Sequence, residues 1–471
     1  MNNKLSSFLL LLFIALKLLL LTSCAGIIPP NGGPKDTIPP HLVTALPLDS
    51  ATNVKGQKIV LTFDEFVEIK EVTQNVLVSP YPTKSPIIES NLRKVTIKLR
   101  DSIQPNTTYS INFGNSIRDI NEGNIFKDFT YSFSTGAHLA KGKFKGKVIL
   151  AETGRTDSTL LVILHRNLND TTIYKSDPRY ITKIDGKGGF YFNFIEPGIY
   201  NAFVVPNEYS KKYDDSTKMF AFLDSTINIS DTISSAVFYA YQEEKKKEKP
   251  KANNNNHPSN NKESGKKEDK YLKYITSLEG GHTQDLLNPL KLTFSKPLQF
   301  FDSSKVVLYD TFYNPISNAK ISLDTSKTTV TISYPWKEAN YFYLILPKDA
   351  VKDTSGNGFK KGDTLSIYTR NASEYGSLKL KFTNLNLKLH PAIEILSGER
   401  IEEIVPLNSL VFYRKLFKPG DYSVRILYDE NQNGVWDAGN YKKRKQPEIV
   451  VDKNWKLNVR ANWDNETEIK L

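Results

Sequence analysis

Three hydrophobic regimes follow one another along this chain. From Phe8 to Leu21 the sequence is apolar, broken once by Lys17. That run falls short of the roughly 20 residues a membrane-spanning helix needs. From about residue 37 apolar and polar residues alternate in short stretches: Ile59-Val60-Leu61-Thr62-Phe63, then Val95, Ile97 and Leu99, then Tyr109, Ile111 and Phe113, then Phe129, Tyr131 and Phe133. A period of two sends one set of side chains into a core and the other into water, so each stretch predicts a strand. Pro105-Asn106 and the run Asp119 to Asn124 supply turns between them. The third regime, Glu243 to Lys270, has no apolar period and predicts a disordered linker over 242–270.

Composition sharpens this picture. The chain holds 25 Phe and 24 Tyr against 2 Met, and its aromatic and β-branched residues sit inside the alternating runs. Such residues favour pleated strands. At 471 residues the chain exceeds one ordinary core. The fold class expected is all-β, a series of tandem β-sandwiches. The landmarks also come twice. Leu292-Thr293-Phe294 echoes Leu61-Thr62-Phe63, and Val330-Thr331-Ile332 echoes Val95-Thr96-Ile97. Asp353-Thr354-Ser355-Gly356-Asn357 stands where Asp119 to Asn124 stood, and Phe417-Lys418-Pro419-Gly420-Asp421-Tyr422 echoes Ile195-Glu196-Pro197-Gly198-Ile199-Tyr200. The shared order points to two copies of a two-domain unit, against chance likeness among β-sandwiches.

The N-terminus adds a location. Lys4 precedes the apolar run, and Leu21-Thr22-Ser23-Cys24 follows it with the only cysteine of the chain. This is the layout of a secretory signal. It resembles the lipobox of bacterial lipoproteins. The resemblance implies that a signal peptide, 1–23, is cut off, that the Cys24 thiol receives a diacylglycerol, and that the new amino group takes a further acyl chain such as palmitate. Each buried CH₂ contributes about 0.8 kcal/mol, so several chains hold a protein on a membrane where one lets go. The alternative is an uncleaved signal with an incidental cysteine. Ala25 and Gly26 lack both the Asp that retains lipoproteins at the inner membrane and an acidic surface-export cluster. The expected place is the outer membrane, on its periplasmic face rather than the cell surface.

Thr37-Ile38-Pro39-Pro40, Ala51-Thr52-Asn53-Val54, Ile59 to Glu65, Pro105 to Tyr109 and Phe133-Ser134-Thr135-Gly136 together resemble the bacterial Ig-like domain of S-layer proteins of the SbsA type. Gly32-Gly33-Pro34-Lys35-Asp36 and Ile111 to Asn115 are similar to outer-membrane lipoproteins of Bacteroidota that carry this module. Asp185 to Phe192 followed by Pro197-Gly198 and Tyr200 resembles the prealbumin-like, carboxypeptidase-regulatory sandwich. The divisions implied are a lipidated tether over 24–36, an Ig-like domain over 37–136, a prealbumin-like sandwich over 140–241, the linker, a second, divergent Ig-like domain over 271–370 and a second prealbumin-like sandwich over 376–471. These resemblances imply architecture and location, and no activity.

Charge and candidate chemistry change the picture less. The net charge is +12, of which the linker, with nine Lys including Lys245-Lys246-Lys247 against six Asp and Glu, holds +3. Solvation of a linker, or attraction to anionic lipid or polysaccharide, accounts for it without a nucleic-acid partner. Asp429, Asn431 and Asn433 place side-chain oxygens at alternate positions, Gly434 allows a sharp turn, and the Val435 carbonyl and Asp437 follow. A hard cation wants such oxygens around a tight loop, and the spacing resembles the first half of an EF-hand or dockerin loop, so Ca²⁺ is the candidate cofactor. Position twelve is Asn440 rather than Glu. The competing reading is an Asx-rich turn that needs no metal. Asp followed by Ser or Thr and a small or aliphatic residue resembles the O-glycosylation triplet of Bacteroidota, with Thr37, Ser50, Ser102, Ser158, Ser225, Thr232 and Thr364 as candidate acceptors. Tyr271, Tyr274, Tyr334, Trp336, Tyr341 and Tyr343 are expected mainly in the core, with an exposed sugar-stacking surface as the other reading.

No Gly-x-Ser-x-Gly, His-Glu-x-x-His or phosphate-binding loop occurs, and the six His are scattered. The chain is not expected to be an enzyme. The expected role is a lipid-anchored scaffold of the cell envelope, binding other envelope proteins. The alternatives are a carbohydrate-binding lipoprotein and, last, a glycosidase built on paired carboxylates.

Overall fold

The computed structural model describes residues 35–230, 232–244 and 271–471. Cys24, the expected signal peptide 1–23 and nearly all of the expected linker lie outside the described residues. What is described is a series of four β-sandwich units, each with its own apolar core.

In the first unit one sheet runs Leu42–Leu46, Lys58–Phe63, Lys94–Lys98, Ile87–Asn91, and faces a sheet of Leu77–Ser79, Thr108–Asn112 and Thr130–Ser134. The alternating residues Ile59, Leu61, Phe63, Val95, Ile97 and Phe133 meet between them. The third unit repeats this strand order with Tyr274–Thr276, Leu290–Phe294, Thr329–Ser333 and Lys320–Leu323. The register is repeated too: Leu61 lies opposite Val95, and Leu292 lies opposite Val330. A one-residue slip would turn every core side chain to water, so equal register follows from equal patterning.

The second and fourth units form another matching pair. Gly142–Leu150 pairs antiparallel with Gly189–Ile195 and parallel with Ile233–Gln242. Gly376–Thr383 does the same with Val411–Phe417 and Asp464–Lys470. The remaining strands come in one order, Tyr180–Lys183, Leu160–His165, Gly198–Pro206, Met219–Phe222 in the second unit, where Met219–Phe222 pairs with Ile233–Gln242 and joins them into one eight-stranded sheet, and Arg400–Pro406, Pro391–Ser397, Gly420–Tyr428, Ile449–Val459 in the fourth, where they form a separate sheet.

The sequence landmarks have local causes. Asp119 and Asp353 are buried at turns and accept backbone N–H bonds, from Glu122, Gly123 and Asn124 in one case and from Ser355 and Asn357 in the other. After each Pro-Gly pair the backbone passes through a positive φ, 149° at Gly198 and 154° at Gly420, which glycine adopts readily. The tyrosine two residues on then donates its hydroxyl back four residues, Tyr200 to the Glu196 carbonyl at 2.8 Å and Tyr422 to the Lys418 carbonyl at 3.1 Å.

One strand breaks the alternation. Leu160–His165 is buried at every position. Leu160, Val162 and Leu164 face the unit's own core, while Leu161 and Ile163 join Phe203, Phe220 and Phe222 on the opposite face. A strand covered on both faces reads as a continuous apolar run, as Leu-Leu-Val-Ile-Leu does. Tyr213 and Ile173 cover part of this second face from within the unit. Leu77 and Tyr81 reach it from the first unit, and Tyr441, Trp436 and Ala438 from the fourth.

His165 ends that strand at 2% exposure, its ring edge-on to Phe203. Burial pushes its pKa down to about 4, with Asp177 opposing weakly. The unfolded chain therefore binds a proton that the fold does not between pH 6.5 and about 4. Stability is full above that window and falls through it on acidification, by at most about 3 kcal/mol. His165→Gln is expected to flatten the fall in melting temperature between pH 7 and pH 5. Glu394 and Glu448, whose carboxyls burial pushes up, act in the opposite direction and are common to both proteins. Parallel pH curves for wild type and variant would contradict the assignment.

Candidate functional site: the loop that joins the second and fourth units

Residues 429–448 follow the strand Gly420–Tyr428 and leave the fourth unit for the second. Asp429 is buried at the start, where its two carboxylate oxygens accept the N–H groups of Asn433 at 3.1 Å and Gly434 at 2.8 Å. Gly434 takes a φ of 79°, which makes that turn. The Asn433 side-chain oxygen accepts Val435 N–H at 2.8 Å, and the Asn431 and Asn433 amides both donate to one oxygen of Asp437. Glu448 closes the loop from its far end, accepting Glu430 N–H at 2.9 Å and Asp437 N–H at 3.0 Å. Burial raises the Glu448 pKa, and the charges of Asp429 and Asp437 push it the same way.

The expected calcium residues Asp429, Asn431, Asn433, Val435 and Asp437 are thus brought together in one hydrogen-bonded loop. The Asp429 oxygens are taken by backbone donors, and two amide N–H₂ groups occupy the space in front of Asp437. Among the described residues no group of three or more His, Cys, Asp or Glu is placed to hold a metal. In this arrangement hydrogen bonds among the loop's own groups close it. Glu448 was invisible to the motif because it lies well past the loop and returns only through the fold.

Beyond Asp437 the loop enters the second unit. Gly439 passes so close to Tyr241 that a Cβ would stand 2.7 Å from its ring. Tyr441, 3% exposed, is packed among Phe222, Phe220 and Phe203 with ring centres 5.0, 5.3 and 5.8 Å away. Its hydroxyl donates to the Asp170 carbonyl at 3.2 Å. Arg444 lies over the Tyr441 ring at 4.7 Å and pairs with the Asp170 carboxylate. The Gln446 amide donates to Asp224 at 2.8 Å. Val450 N–H donates to the Ala151 carbonyl at 2.8 Å, and Arg155 meets both oxygens of Glu399 at 3.0 Å. The contact is therefore an aromatic plug with a polar rim, the usual anatomy of a specific interface.

Residues 36–135 match the family model of a bacterial Ig-like domain. The third unit shares the strand order of this Ig-like domain. No curated protein matches the chain. Among solved structures, the TIE protein of Bacillus anthracis is 10% identical with a TM-score of 0.16, the alignment covering 94% of this chain and 76% of that one. The major pilin subunit BcpA of Bacillus cereus is 10% identical with a TM-score of 0.17, covering 70% and 98%. The surface layer protein SbsC, domains 1–6, is 9% identical with a TM-score of 0.16, covering 88% and 67%. Similarities this low carry no argument on function. No helix among the described residues is long and apolar enough to cross a membrane.

The remaining sequence candidates divide by exposure. All seven glycosylation candidates, Thr37, Ser50, Ser102, Ser158, Ser225, Thr232 and Thr364, are exposed. Trp336 is in the core at 7% exposure, and Tyr274 and Tyr334 pack against that core. Tyr341 and Tyr343 are not in the core, contrary to expectation. The inward positions of their strand belong to Phe342, Leu344 and Leu346, so the tyrosines take the outer phase. There Tyr343 stacks on Tyr313 at 4.6 Å and Tyr341 meets Tyr368 at 4.9 Å. Three surface grooves of about 260, 340 and 660 Å³ have no carboxylate in their walls.

Two outcomes test this site. Tyr441→Ala should cost about 3–5 kcal/mol of unfolding free energy, the range for truncating a buried aromatic, and should expose the second unit to limited proteolysis around residues 203–222. An unchanged melting curve and cleavage pattern would contradict the plug. Asp429→Ala should lower the melting temperature equally in calcium and in chelator. A calcium-dependent rise in wild type that this variant abolishes would show that the amides turn away and a metal enters.

Proposed function

We propose that this chain is a structural protein of the bacterial cell envelope, anchored by lipid on Cys24 at the outer membrane and facing the periplasm, where its sandwiches act as a binding scaffold for other envelope proteins. The observation that carries this reading is the docking of the fourth unit onto the second through Tyr441. It converts units that could hang as beads on a string into an ordered body with fixed outer surfaces. The bacterial Ig-like domain and the lipobox-like N-terminus agree with it, and the basic linker needs no nucleic acid to explain it. The exposed acceptor triplets are available for O-glycosylation in such a compartment. The hydrogen-bonded carboxylates of the 429–448 loop are engaged in holding its backbone, which favours a structural over a hydrolytic role.

A second reading, carbohydrate binding, is favoured by the outward tyrosines of the third unit, since ring faces suit the apolar faces of sugars. Trp336, being buried, is not part of it.

The anchor is tested by Cys24→Ser in a bacterial host. Wild type should sediment with the membrane fraction and resist release by salt, whereas the variant should become soluble. A variant that sediments as firmly as wild type would overturn the lipid anchor.

A further inference from the structure

The strand Gly142–Leu150 carries Lys143, Lys145 and Lys147 two residues apart, so all three stand on the outer face while Phe144 and Val148 enter the core. It is an interior strand, flanked by Gly189–Ile195 and Ile233–Gln242, so the row of ammonium groups runs down the middle of a sheet. Successive lysines are separated by about 6.6–6.8 Å of strand. Lys145 lies beside Tyr191 and Ser235, and Lys147 beside Val237. Tyr191 is 48% exposed and Val237 47%. Between them lies a groove of about 660 Å³. None of the three lysines makes an ion pair among the described residues.

The fourth unit shows what this face lacks. Its corresponding strand, Gly376–Thr383, carries Lys379 and Lys381 in the same phase, and both pair with Glu466 on the parallel strand Asp464–Lys470. In register, Glu466 and Glu468 lie beside Lys379 and Lys381. The second unit has Ser235 and Val237 beside Lys145 and Lys147 instead. One copy of the fold neutralises its lysine row internally, and the other does not.

We propose that the groove over Lys145 and Lys147 binds an acidic polysaccharide, whose anionic groups take the role that Glu466 plays in the fourth unit. A row of one charge sign beside low-dielectric walls concentrates a polyanion. The backbone donors and acceptors of an interior strand are spent on its ladders, so a peptide lying across this face gains no strand pairing. A sugar needs none: its apolar face meets Tyr191 and Val237, and its hydroxyls meet Ser235 and water. This inference does not depend on the lipid anchor.

The test is titration of the purified full chain with oligogalacturonate, with poly-glutamate and phosphatidylglycerol vesicles as competing probes. Oligogalacturonate should bind more weakly as salt rises. Lys145→Gln with Lys147→Gln should weaken it at least tenfold. Ser235→Glu, which sets a carboxylate beside Lys145 as Glu466 stands beside Lys379, should weaken it comparably while melting as wild type does. Removing equal charge elsewhere, by Lys291→Gln with Lys320→Gln, should leave it unchanged. Equal affinity in wild type and both groove variants would overturn the proposal. So would poly-glutamate or vesicles binding through these lysines while oligogalacturonate does not.

Discussion

The second unit contains a sheet that is apolar on both faces, and the arrangement of the chain follows from covering it. Leu161, Ile163, Phe203, Phe220 and Phe222 would form a broad greasy surface on an isolated sandwich. Monomeric proteins rarely leave such a patch in water. The first unit covers part of it with Leu77 and Tyr81, and the fourth covers the rest with the loop that ends in Tyr441. Two glycines permit the close approach: Gly439 against Tyr241, and Gly154, where a Cβ would stand 2.6 Å from the Asp452 nitrogen. The buried pair of Glu394 and Arg425, at 2.7 Å, lies on the fourth unit's own docking sheet. A buried pair of this kind is weak evidence for stability, though leaving either charge alone there would be costly.

Duplication explains both what the halves share and where they part. Register, buried turn aspartates and the Pro-Gly-x-Tyr hydrogen bond are common because each is needed to close the same sandwich. The exposed faces were free to diverge. Asp429 opens a tight loop in the fourth unit, while the matching segment of the second unit supplies Tyr213, stacked 4.0 Å from Phe220 in the same aromatic cluster. The lysine rows diverged likewise, one with acidic neighbours and one without. Surfaces that differ on a shared scaffold are where separate roles arise.

Much of the fold was legible in the sequence because alternation is a direct image of a half-buried strand. Leu61 and Leu292 mark equivalent strands, and their partners Val95 and Val330 follow. The unbroken run from Leu160 to Leu164 carried a signal that alternation alone does not interpret, namely a strand covered twice. Nothing local to Tyr441 announces that its ring belongs to another unit's cluster, since that depends on a contact across some 220 residues of chain. The same holds for Glu448, which joins the Asp429 loop only through the fold. Tyr343 was misplaced because aromatic content was weighed before phase, and phase decided.

The central claim is that the second and fourth units are docked, and it is tested by electron–electron resonance between spin labels at Asn228→Cys and Lys453→Cys in a Cys24→Ser background. Docked units predict one narrow distance distribution, the same across temperatures below melting. A broad distribution in the otherwise intact protein, with Tyr441 free to leave its aromatic pocket, would contradict the account.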